Sequence, residues 1–478
     1  MRTRTVVTGL LGVLLALSGA SGPSVAAPAP EPSYDDARST PVRDPYFPEH
    51  GDPRFDALHY DLSLRWFPGK RRLVGNAGIT FRAASAGRQL RLDLDHRLTT
   101  AQVRLDDRPV AVSRQGDHLL VDAGRVLAAG SRHQLTVAYA GRPGPTRTGL
   151  VRSDLARLGW TVTRRGEVWT MQEPWGASTY YPVNDHPSDK AYYSAAITTP
   201  SRMKGIFGGK LVSQKVHGKR RTMRWRMADP AASYLVTVAI GDYVLRRDRG
   251  PRGIPLSYWL PRRPGAAMVR EAERMPSMLR WLRKRLGPYP FDRAGLVAVQ
   301  GGSAMETQTL VTIERRLLAD RWNGRPVMVH ELAHQWYGDT VTPRSWSELW
   351  LNEAWAMYTQ IRWEVRGWPG GMRQWRRDLA DIDTELRRMN GPPGAYFEKQ
   401  FGSACVYYCG ALMLDQLRAK IGGAAFSELW RGWPRQHRNG NAGRGDFIAY
   451  ASKVAGIDLT GFVTTWLTSK RTPPLVRR

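Results

Sequence analysis

Along residues 52–248, hydrophobic and polar positions alternate in short segments, and turns rich in Gly, Asp and Pro separate these segments. The stretches HYDLSLRWF, AGITFRA and HQLTVAYAG show the pattern, and SYLVTVAIGDYVLRRD continues it. A repeat of two residues is typical of strands that bury one face. We therefore predict an N-terminal antiparallel β-domain, a sandwich or saddle, over residues 51–248.

The periodicity changes near Gly250. The stretch GAAMVREAERMPSMLRWLRKRLG carries apolar residues at helical spacing and ends at a glycine. One more strand-like stretch, AGLVAVQ, follows, and most of the remaining chain has a helical pattern. The chain is thus predicted to be α+β and multidomain, with residues 249–478 forming a mainly helical domain that begins with a small α/β portion.

The first residues have the pattern of a secretory signal peptide. Arg2 and Arg4 precede an apolar run over residues 6–17, and small residues ending in SVAAPAP follow. The run is too short to span a bilayer comfortably, so we predict a signal peptide over 1–27 and a secreted protein without an integral membrane span. Residues 28–50, rich in Pro, Asp and Ser, are predicted to be a flexible leader.

The charge is strongly basic, with 71 Lys and Arg against 42 Asp and Glu and a formal net charge of +29. Such a protein is attracted to anionic wall polymers or membrane surfaces. No nucleic-acid-binding motif is visible and the arginines are scattered along the chain, so nucleic acid is not expected as a partner. A solvated basic surface with weak attraction to anionic surfaces is the favoured interpretation.

Two cysteines, Cys405 and Cys409, lie four residues apart. Export would allow a disulfide, but a bridge at this spacing is strained inside a regular helix. Their redox state stays open from the sequence, and we favour two free thiols.

The stretch VMVHELAHQWYGD carries the strongest chemical signal. His330 and His334 are four residues apart, so both imidazoles project from one face of a helix and can bind one Zn²⁺. Glu331 lies beside the metal without pointing at it, which is the position of a general base that takes a proton from the attacking water.

A catalytic zinc takes three protein ligands and keeps one open position. With eighteen residues between it and His334, Glu353 in the stretch SELWLNEAWAMY is the next candidate. A turn with Gly338, Asp339 and Pro343 lies between, and a second helix is predicted from about Ser347. This helix can bring Glu353 back over the first helix as the third ligand.

These residues resemble the aminopeptidase N family of gluzincin zinc metallopeptidases. HELAHQWYGD, an eighteen-residue spacer and WLNEAWA match the family's HExxH-x18-E signature, with Ala354 where many members have Gly. The resemblance runs from about Asp52 to Trp466. It implies a thermolysin-like catalytic domain with one zinc ion per chain, and it implies roles for residues in three further stretches.

The stretch SAMETQT is similar to the family's GxMEN motif, with Ser303 where Gly is usual and Thr307 where Asn is usual. By resemblance, Glu306 binds the substrate's free α-amine, for which a carboxylate is the natural counter-ion. The backbone around Ser303 and Ala304 would pair with the substrate as an added strand.

Two other stretches resemble family segments. MQEPWGASTYYPVNDHP contains Glu173, the expected second carboxylate for the amine, with Met171 where many members have Gln. VYYCGALML contains Tyr407, which aligns with the tyrosine that donates to the oxyanion, while Cys409 replaces the usual Lys. Spacing alone does not exclude the adjacent Tyr408 from this role.

The expected function is a secreted zinc aminopeptidase that hydrolyses the N-terminal residue from peptides with a free N-terminus. One alternative is a secreted thermolysin-type endopeptidase, but that family has an Asp four residues after the ligand Glu, where this chain has Met357. Another is a basic wall-binding protein with a vestigial peptidase site, which the intact zinc-site and catalytic residues disfavour.

Overall fold

The strand Phe55–Phe67 shows how the alternating pattern becomes structure. From Tyr60 onward its inward side chains are buried in the core, whereas the intervening residues are exposed. The structure, a computed structural model, describes residues 33–476. The predicted signal peptide over 1–27 lies outside these residues.

The strands of the described residues are numbered here in chain order. They are β1 Phe55–Phe67, β2 Arg72–Ala83, β3 Gly87–Asp93, β4 Leu98–Leu105, β5 Arg108–Pro109, β6 Ala111–Gln115, β7 His118–Leu127, β8 Arg132–Gly141, β9 Thr146–Arg147, β10 Arg157–Val162, β11 Val168–Met171, β12 Lys190–Pro200, β13 Lys204–Phe207, β14 Lys210–His217, β15 Arg220–Arg226, β16 Ala231–Ala232, β17 Val238–Gly241, β18 Tyr243–Arg249, β19 Pro255–Pro261, β20 Ala294–Val299, β21 Ala304–Met305, β22 Val311–Glu314, β23 Val341–Pro343 and β24 Gly440–Ala442.

Three sheets build the N-terminal part. The largest has the order β14-β15-β12-β1-β2-β8-β4-β5, with β16 also paired to β12, and the others are β3-β7-β6 and β13-β17-β11-β10-β9. The β-rich fold class predicted from the alternation is correct. Within the largest sheet, one pair departs from the predicted antiparallel arrangement, because β1 and β12 pair in parallel. The long stretch of chain between them provides the crossover that a parallel pair requires.

The helices follow the β-rich part. They are α1 Ala266–Ala272, α2 Met275–Leu286, α3 Arg315–Ala319, α4 Gly324–His334, α5 Trp350–Glu364, α6 Gly371–Asn390, α7 Gly410–Gln436, α8 Arg444–Ala455 and α9 Thr460–Thr468. The stretch around residues 266–286 forms two helices, since Pro276 sits in the first turn of α2, where its missing N–H costs nothing. Among the described residues, none of the helices has the length and apolarity to cross a membrane.

A small sheet in the order β18-β19-β20-β22-β21 introduces the helical part. It is the predicted α/β portion, and it begins earlier than the sequence indicated. The boundary placed between residues 248 and 249 falls inside β18, because β18 pairs with β19 along its whole length. The strand β21 lies at the edge of this sheet.

Residues 34–50 of the predicted flexible leader pack against the rest of their compact unit, residues 34–478. Ala37, Asp44 and Phe47 are buried, and Asp44 Oδ2 accepts a hydrogen bond of 2.7 Å from the backbone N–H of Trp346. Polar composition favoured a loose segment, but these few anchoring side chains bury enough surface to hold it. The remainder of that prediction, residues 28–32, lies outside the described part.

Candidate active site and metal centre

The helix α4 presents His330 and His334 on one face, both buried. A π-helical turn, Gln335–Asp339, follows, in which Gly338 has φ +127°, a conformation that L side chains rarely adopt. This turn folds the carbonyl of Tyr337 back to within 2.9 Å of His334 Nδ1. Because a carbonyl oxygen only accepts, Nδ1 carries the proton, and His334 Nε2 keeps the lone pair that a metal needs.

The helix α5 brings Glu353 to the same point. His330 Nε2 and Glu353 Oε2 lie 3.2 Å apart, His334 Nε2 and Glu353 Oε2 lie 3.3 Å apart, and the two Nε2 atoms lie 3.0 Å apart. Ligands about 2.0–2.1 Å from a tetrahedral zinc stand about 3.3 Å from each other. Three donor atoms converging at this spacing fit Zn²⁺, and they are a buried cluster of potential metal ligands.

The electrostatics of Glu353 agree with a ligand role. Burial alone would raise the pKa of its carboxyl, but the adjacent imidazoles of His334 and His330 lower the pKa below its usual value. Glu353 is therefore ionised at neutral pH and available to a cation.

Glu331 lies on α4 between the two histidines and lines the same cleft. It is only 6% exposed, and its Oε2 has no hydrogen-bond partner among residues 33–476. Burial, followed by the negative charge of Glu306, raises the pKa of Glu331 well above its ordinary value. A carboxylate of raised basicity that faces an open cleft is suited to taking up a proton.

Glu306 follows the edge strand β21. The side chain of Gln335, from the turn after α4, holds this segment: its Nε2 donates to the Glu306 carbonyl at 2.7 Å, and its Oε1 accepts from the Thr309 N–H at 2.9 Å. The Glu306 carboxylate is buried, with Oε1 unpartnered within the described chain. The predicted strand-adding segment around Ser303 and Ala304 thus lies on an unpaired sheet edge beside this carboxylate.

Glu173 reaches the cleft from the β-rich part, just after β11. The preceding Gln172 fixes the chain there, since its Nε2 donates to the Ser233 carbonyl at 2.7 Å and also to the Val236 carbonyl. Burial and then the charge of Glu306 raise the pKa of Glu173 well above its ordinary value. Its Oε1 also has no partner in the described residues.

Tyr407 occupies a π-helical turn, Cys405–Cys409, that precedes α7. Its hydroxyl donates to Glu353 Oε1 at 2.8 Å, and its ring stacks against His330 with the centroids 5.7 Å apart. Tyr408, the other candidate, is 39% exposed. The tyrosine beside the metal ligands is therefore Tyr407.

A glycine allows this approach. A Cβ on Gly410, the first residue of α7, would stand 2.5 Å from the Cβ of Ala354 on α5. Without a side chain at that position, α7 packs closely on α5, and the turn before it comes within reach of Glu353.

The expectation of two free thiols is wrong, because Cys405 and Cys409 form a disulfide. The argument against a bridge assumed a regular α-helix. The segment instead forms a π-helical turn with the two Cα atoms 4.7 Å apart, which is within disulfide range.

The sequence interpretation missed Arg152 and Asp154. Both belong to the loop between β9 and β10, and both line the cleft of about 460 Å³ that holds the metal ligands. Arg152 Nη1 donates to the Tyr407 hydroxyl at 2.8 Å. No spacing or motif in this loop distinguishes Arg152 from the many other arginines of the chain, so only the tertiary structure identifies it.

Comparisons with known proteins agree with this geometry. The profile of the Peptidase family M1 domain matches residues 270–466, and that of the Peptidase M1 N-terminal domain matches residues 56–235. The chain is similar to the crystal structure of an M1 zinc metallopeptidase mutant from Deinococcus radiodurans bound to a Tyr-Ser-Ala substrate. That likeness has 26% identity and a TM-score of 0.81, and it covers 91% of this chain and 99% of the other.

Curated relatives are longer. Aminopeptidase M1 of Arabidopsis thaliana is 24% identical over 396 residues, which cover 76% of this chain and 43% of the relative. Aminopeptidase B of Homo sapiens is 28% identical over 331 residues, which cover 64% and 49%. The chain thus spans about half the length of the curated relatives that it matches. The two matched domains, the structural likeness and the His330, His334 and Glu353 cluster together show that the chain belongs to peptidase family M1, the zinc metallopeptidases.

Proposed function

We propose that this protein is a secreted zinc aminopeptidase that removes the N-terminal residue from peptides. The observation that carries the proposal is the pair of buried carboxylates, Glu173 and Glu306, beside the metal cluster. Each has an oxygen without a partner in the described chain, and burial raises the pKa of both. A substrate ammonium supplies the missing donors and the opposite charge.

The residues divide the reaction between them. When bound by His330, His334 and Glu353, zinc supplies Lewis-acid polarisation of the scissile carbonyl and makes water more acidic. Glu331 takes the proton of the attacking water and returns it to the leaving amine. Tyr407 donates its hydroxyl hydrogen to the oxygen that becomes negative in the transition state.

Glu173 and Glu306 form the part of the cleft called here the amine end. This part also determines which peptide bond is cut. Glu306 and Glu173 fix the substrate's first nitrogen, and the unpaired edge of β21 offers backbone groups around Ser303 and Ala304 for the following peptide unit. Cleavage is then restricted to the first peptide bond. Support also comes from the similar Deinococcus radiodurans enzyme, whose structure holds the tripeptide Tyr-Ser-Ala.

The test compares one peptide with a free amine and the same peptide acetylated at its N-terminus. An aminopeptidase releases the first residue from the free peptide and leaves the acetylated peptide uncut. Internal cleavage of both peptides at similar rates would favour a thermolysin-type endopeptidase instead. Glu331→Gln protein is the matched control for a contaminating peptidase.

Secretion is part of the proposal and rests on the signal-like pattern of residues 1–27. Expression of the full chain should give activity in the culture medium and a mature N-terminus near Ala26 or Ala27. Replacing the apolar run at 6–17 with polar residues should retain the protein inside the cell. Equal export of both forms would contradict the assignment.

We also propose a weak attraction to anionic surfaces. A groove of about 1080 Å³, lined by residues of both the β-rich part and the start of the helical part, has an excess of positive charge. Its basic residues are Arg164, Arg165, Arg262, Arg263 and Arg315, and its acidic residues are Glu167 and Asp242. Attraction of this kind weakens as salt shortens the Debye length.

Cosedimentation with phosphatidylglycerol vesicles at low and high salt tests this attraction, with phosphatidylcholine vesicles as reference. The variant Arg164→Glu/Arg165→Glu should lose binding. The control Arg247→Glu/Arg280→Glu makes the same change in net charge outside the groove and should bind better than the groove variant. Equal losses would assign the attraction to net charge alone.

A further inference from the structure

Arg152 has a dense set of contacts for a side chain in a cleft. Its Nη1 donates both to the Tyr407 hydroxyl and to the Gly402 carbonyl, each at 2.8 Å. The fork of Nε and Nη2 meets Asp154 Oδ1 at 3.1 Å and Oδ2 at 2.6 Å. A bidentate pair of this kind fixes the plane of the guanidinium.

The hydrogen bond from Arg152 determines the direction in which the Tyr407 hydroxyl donates. A phenol has one hydrogen to donate. Its oxygen can also accept a hydrogen bond from a cationic donor, and that bond leaves the phenol's own hydrogen free for another partner. Because Arg152 Nη1 occupies the acceptor side of the oxygen, the hydrogen points the other way, toward Glu353 Oε1 at 2.8 Å. That is the side on which the metal ligands lie, and a substrate carbonyl bound to the metal would lie there too.

Asp154 connects this arrangement to the substrate-binding edge. Ser303 Oγ donates to Asp154 Oδ2 at 3.1 Å, so a chain of contacts runs from Ser303 through Asp154 and Arg152 to Tyr407. Ser303 stands where the GxMEN motif has Gly, and a glycine has no side chain to donate. The departure from the motif therefore coincides with a contact that only this side chain provides.

We propose that Arg152 is a positioning residue that aims the Tyr407 hydroxyl at the developing oxyanion, and that Asp154 and Ser303 hold Arg152 in place. The inference deepens the proposed function and rests on the role of Tyr407 within it. Among the described residues, Arg152 donates hydrogen bonds to Asp154, Gly402 and Tyr407 and to none of the metal ligands, so we infer that it acts through Tyr407. Its loss should therefore lower kcat without weakening substrate binding.

The test is a double-mutant cycle with Arg152→Met, Tyr407→Phe and the combined variant. Removing one oxyanion donor typically lowers kcat by about 10²–10³-fold, and we expect this for Tyr407→Phe. Arg152→Met should lower kcat about 10–100-fold with KM changed less than about threefold, and the combined variant should be no slower than Tyr407→Phe alone. Arg152→Lys should recover part of kcat, because an ammonium still donates to the hydroxyl.

Two measurements separate a positioning role from a structural one. Zinc content should equal that of the unmodified protein in every variant, and Arg147→Met, on the exposed strand β9, should leave kcat unchanged. The proposal would be overturned if the reductions in kcat of the two single variants multiplied in the combined variant. A large rise in KM or a loss of zinc in Arg152→Met would also overturn it. Ser303→Gly should give a reduction of only a few fold, again in kcat.

A binding experiment keeps this inference distinct from the proposed function. A phosphinic peptide mimics the tetrahedral transition state, and its affinity is measured by calorimetry without turnover. Arg152→Met and Tyr407→Phe should weaken its binding non-additively, while an uncleaved product-like peptide binds equally to all variants. Additive losses of affinity would reject the proposed role of Arg152, whichever peptide bond the enzyme cuts. Cleavage of acetylated peptides would reject only the aminopeptidase assignment and would leave the role of Arg152 intact.

Discussion

The two ends of the cleft contain the same residue type in opposite electrostatic states. At the metal end, the Glu353 carboxylate lies within 3.3 Å of both ligand imidazoles and accepts from Tyr407, and its pKa is lowered despite burial. At the proposed amine end, Glu173 and Glu306 are also buried, but each has an oxygen without a described partner and a raised pKa.

The two ends differ in how fully other residues pair with their carboxylates. Glu353 has partners among the described residues, whereas Glu173 and Glu306 each have an oxygen without one. At the metal end, His330, His334 and Glu353 bring three donor atoms to one point. At the other end, Glu173 and Glu306 each have a carboxylate oxygen without a partner in the described residues, and we propose that a cationic substrate group supplies the missing donors. Burying unpaired carboxylates costs stability, so their persistence here indicates binding rather than folding.

Metal removal should have the largest effect, because it affects the end on which all chemistry depends. We expect treatment with a chelator to abolish peptide cleavage and addition of Zn²⁺ to restore it. His334→Ala protein should contain little zinc and show no restoration. Metal content is checked by mass spectrometry. Activity that survives in metal-free protein would show that catalysis does not depend on the metal end of the cleft.

Replacing Glu331 should separate catalysis from metal binding. Glu331→Gln keeps the size of the side chain but cannot take up a proton, so kcat should fall by at least about 10²–10⁴-fold. Zinc content should stay at one per chain, because the side chain is not a ligand. Turnover of an aminoacyl-coumarin substrate at the unmodified rate would show that the base lies elsewhere.

The amine end should respond in kcat/KM and only for free amines. Losing one charged partner of an ammonium costs about 1.5–3 kcal/mol, so Glu306→Gln should lower kcat/KM about 10–100-fold. Glu173→Gln should also lower kcat/KM. The zinc content of both variants serves as the control, and lost zinc in either would mean that the two ends are not independent.

The smallest effect concerns stability. Because the pKa of Glu173 is raised in the folded protein, the neutral form is favoured there, and stability falls as pH rises above the ordinary value of 4.5. Without its substrate, Glu173→Gln should therefore unfold about 1–3 °C higher than the unmodified protein at pH 8, with a smaller difference at pH 5. Scanning calorimetry at both pH values measures this; a difference that does not change with pH would contradict the assignment of burial cost to this carboxylate.

Much of this site could be predicted from local spacing. A spacing of four positions places the two histidines on one face of a helix, and the eighteen-residue spacer sets the return of Glu353. The order of a β-rich part before a helical part followed from the change in periodicity. These features depend on repeat lengths of two and 3.6 residues, which the sequence displays directly.

The features that sequence reasoning missed depend on contacts between distant segments. The disulfide forms because the chain is π-helical at Cys405–Cys409, and the parallel pair of β1 and β12 joins strands far apart in the chain. Arg152 meets Tyr407 across 255 positions. Nothing in a local pattern records which arginine makes such a contact.

The sequence by itself determined the metal-binding triad, the position of the proposed general base and the order of the two parts, because periodic secondary structure places those side chains. Only the tertiary structure decided that Glu173 and Glu306 each have an oxygen without a partner in residues 33–476, that Tyr407 rather than Tyr408 faces the ligands, and that Arg152 donates to the Tyr407 hydroxyl. Burial, pairing and direction are properties of how separate segments pack, and packing has no signature within any one segment.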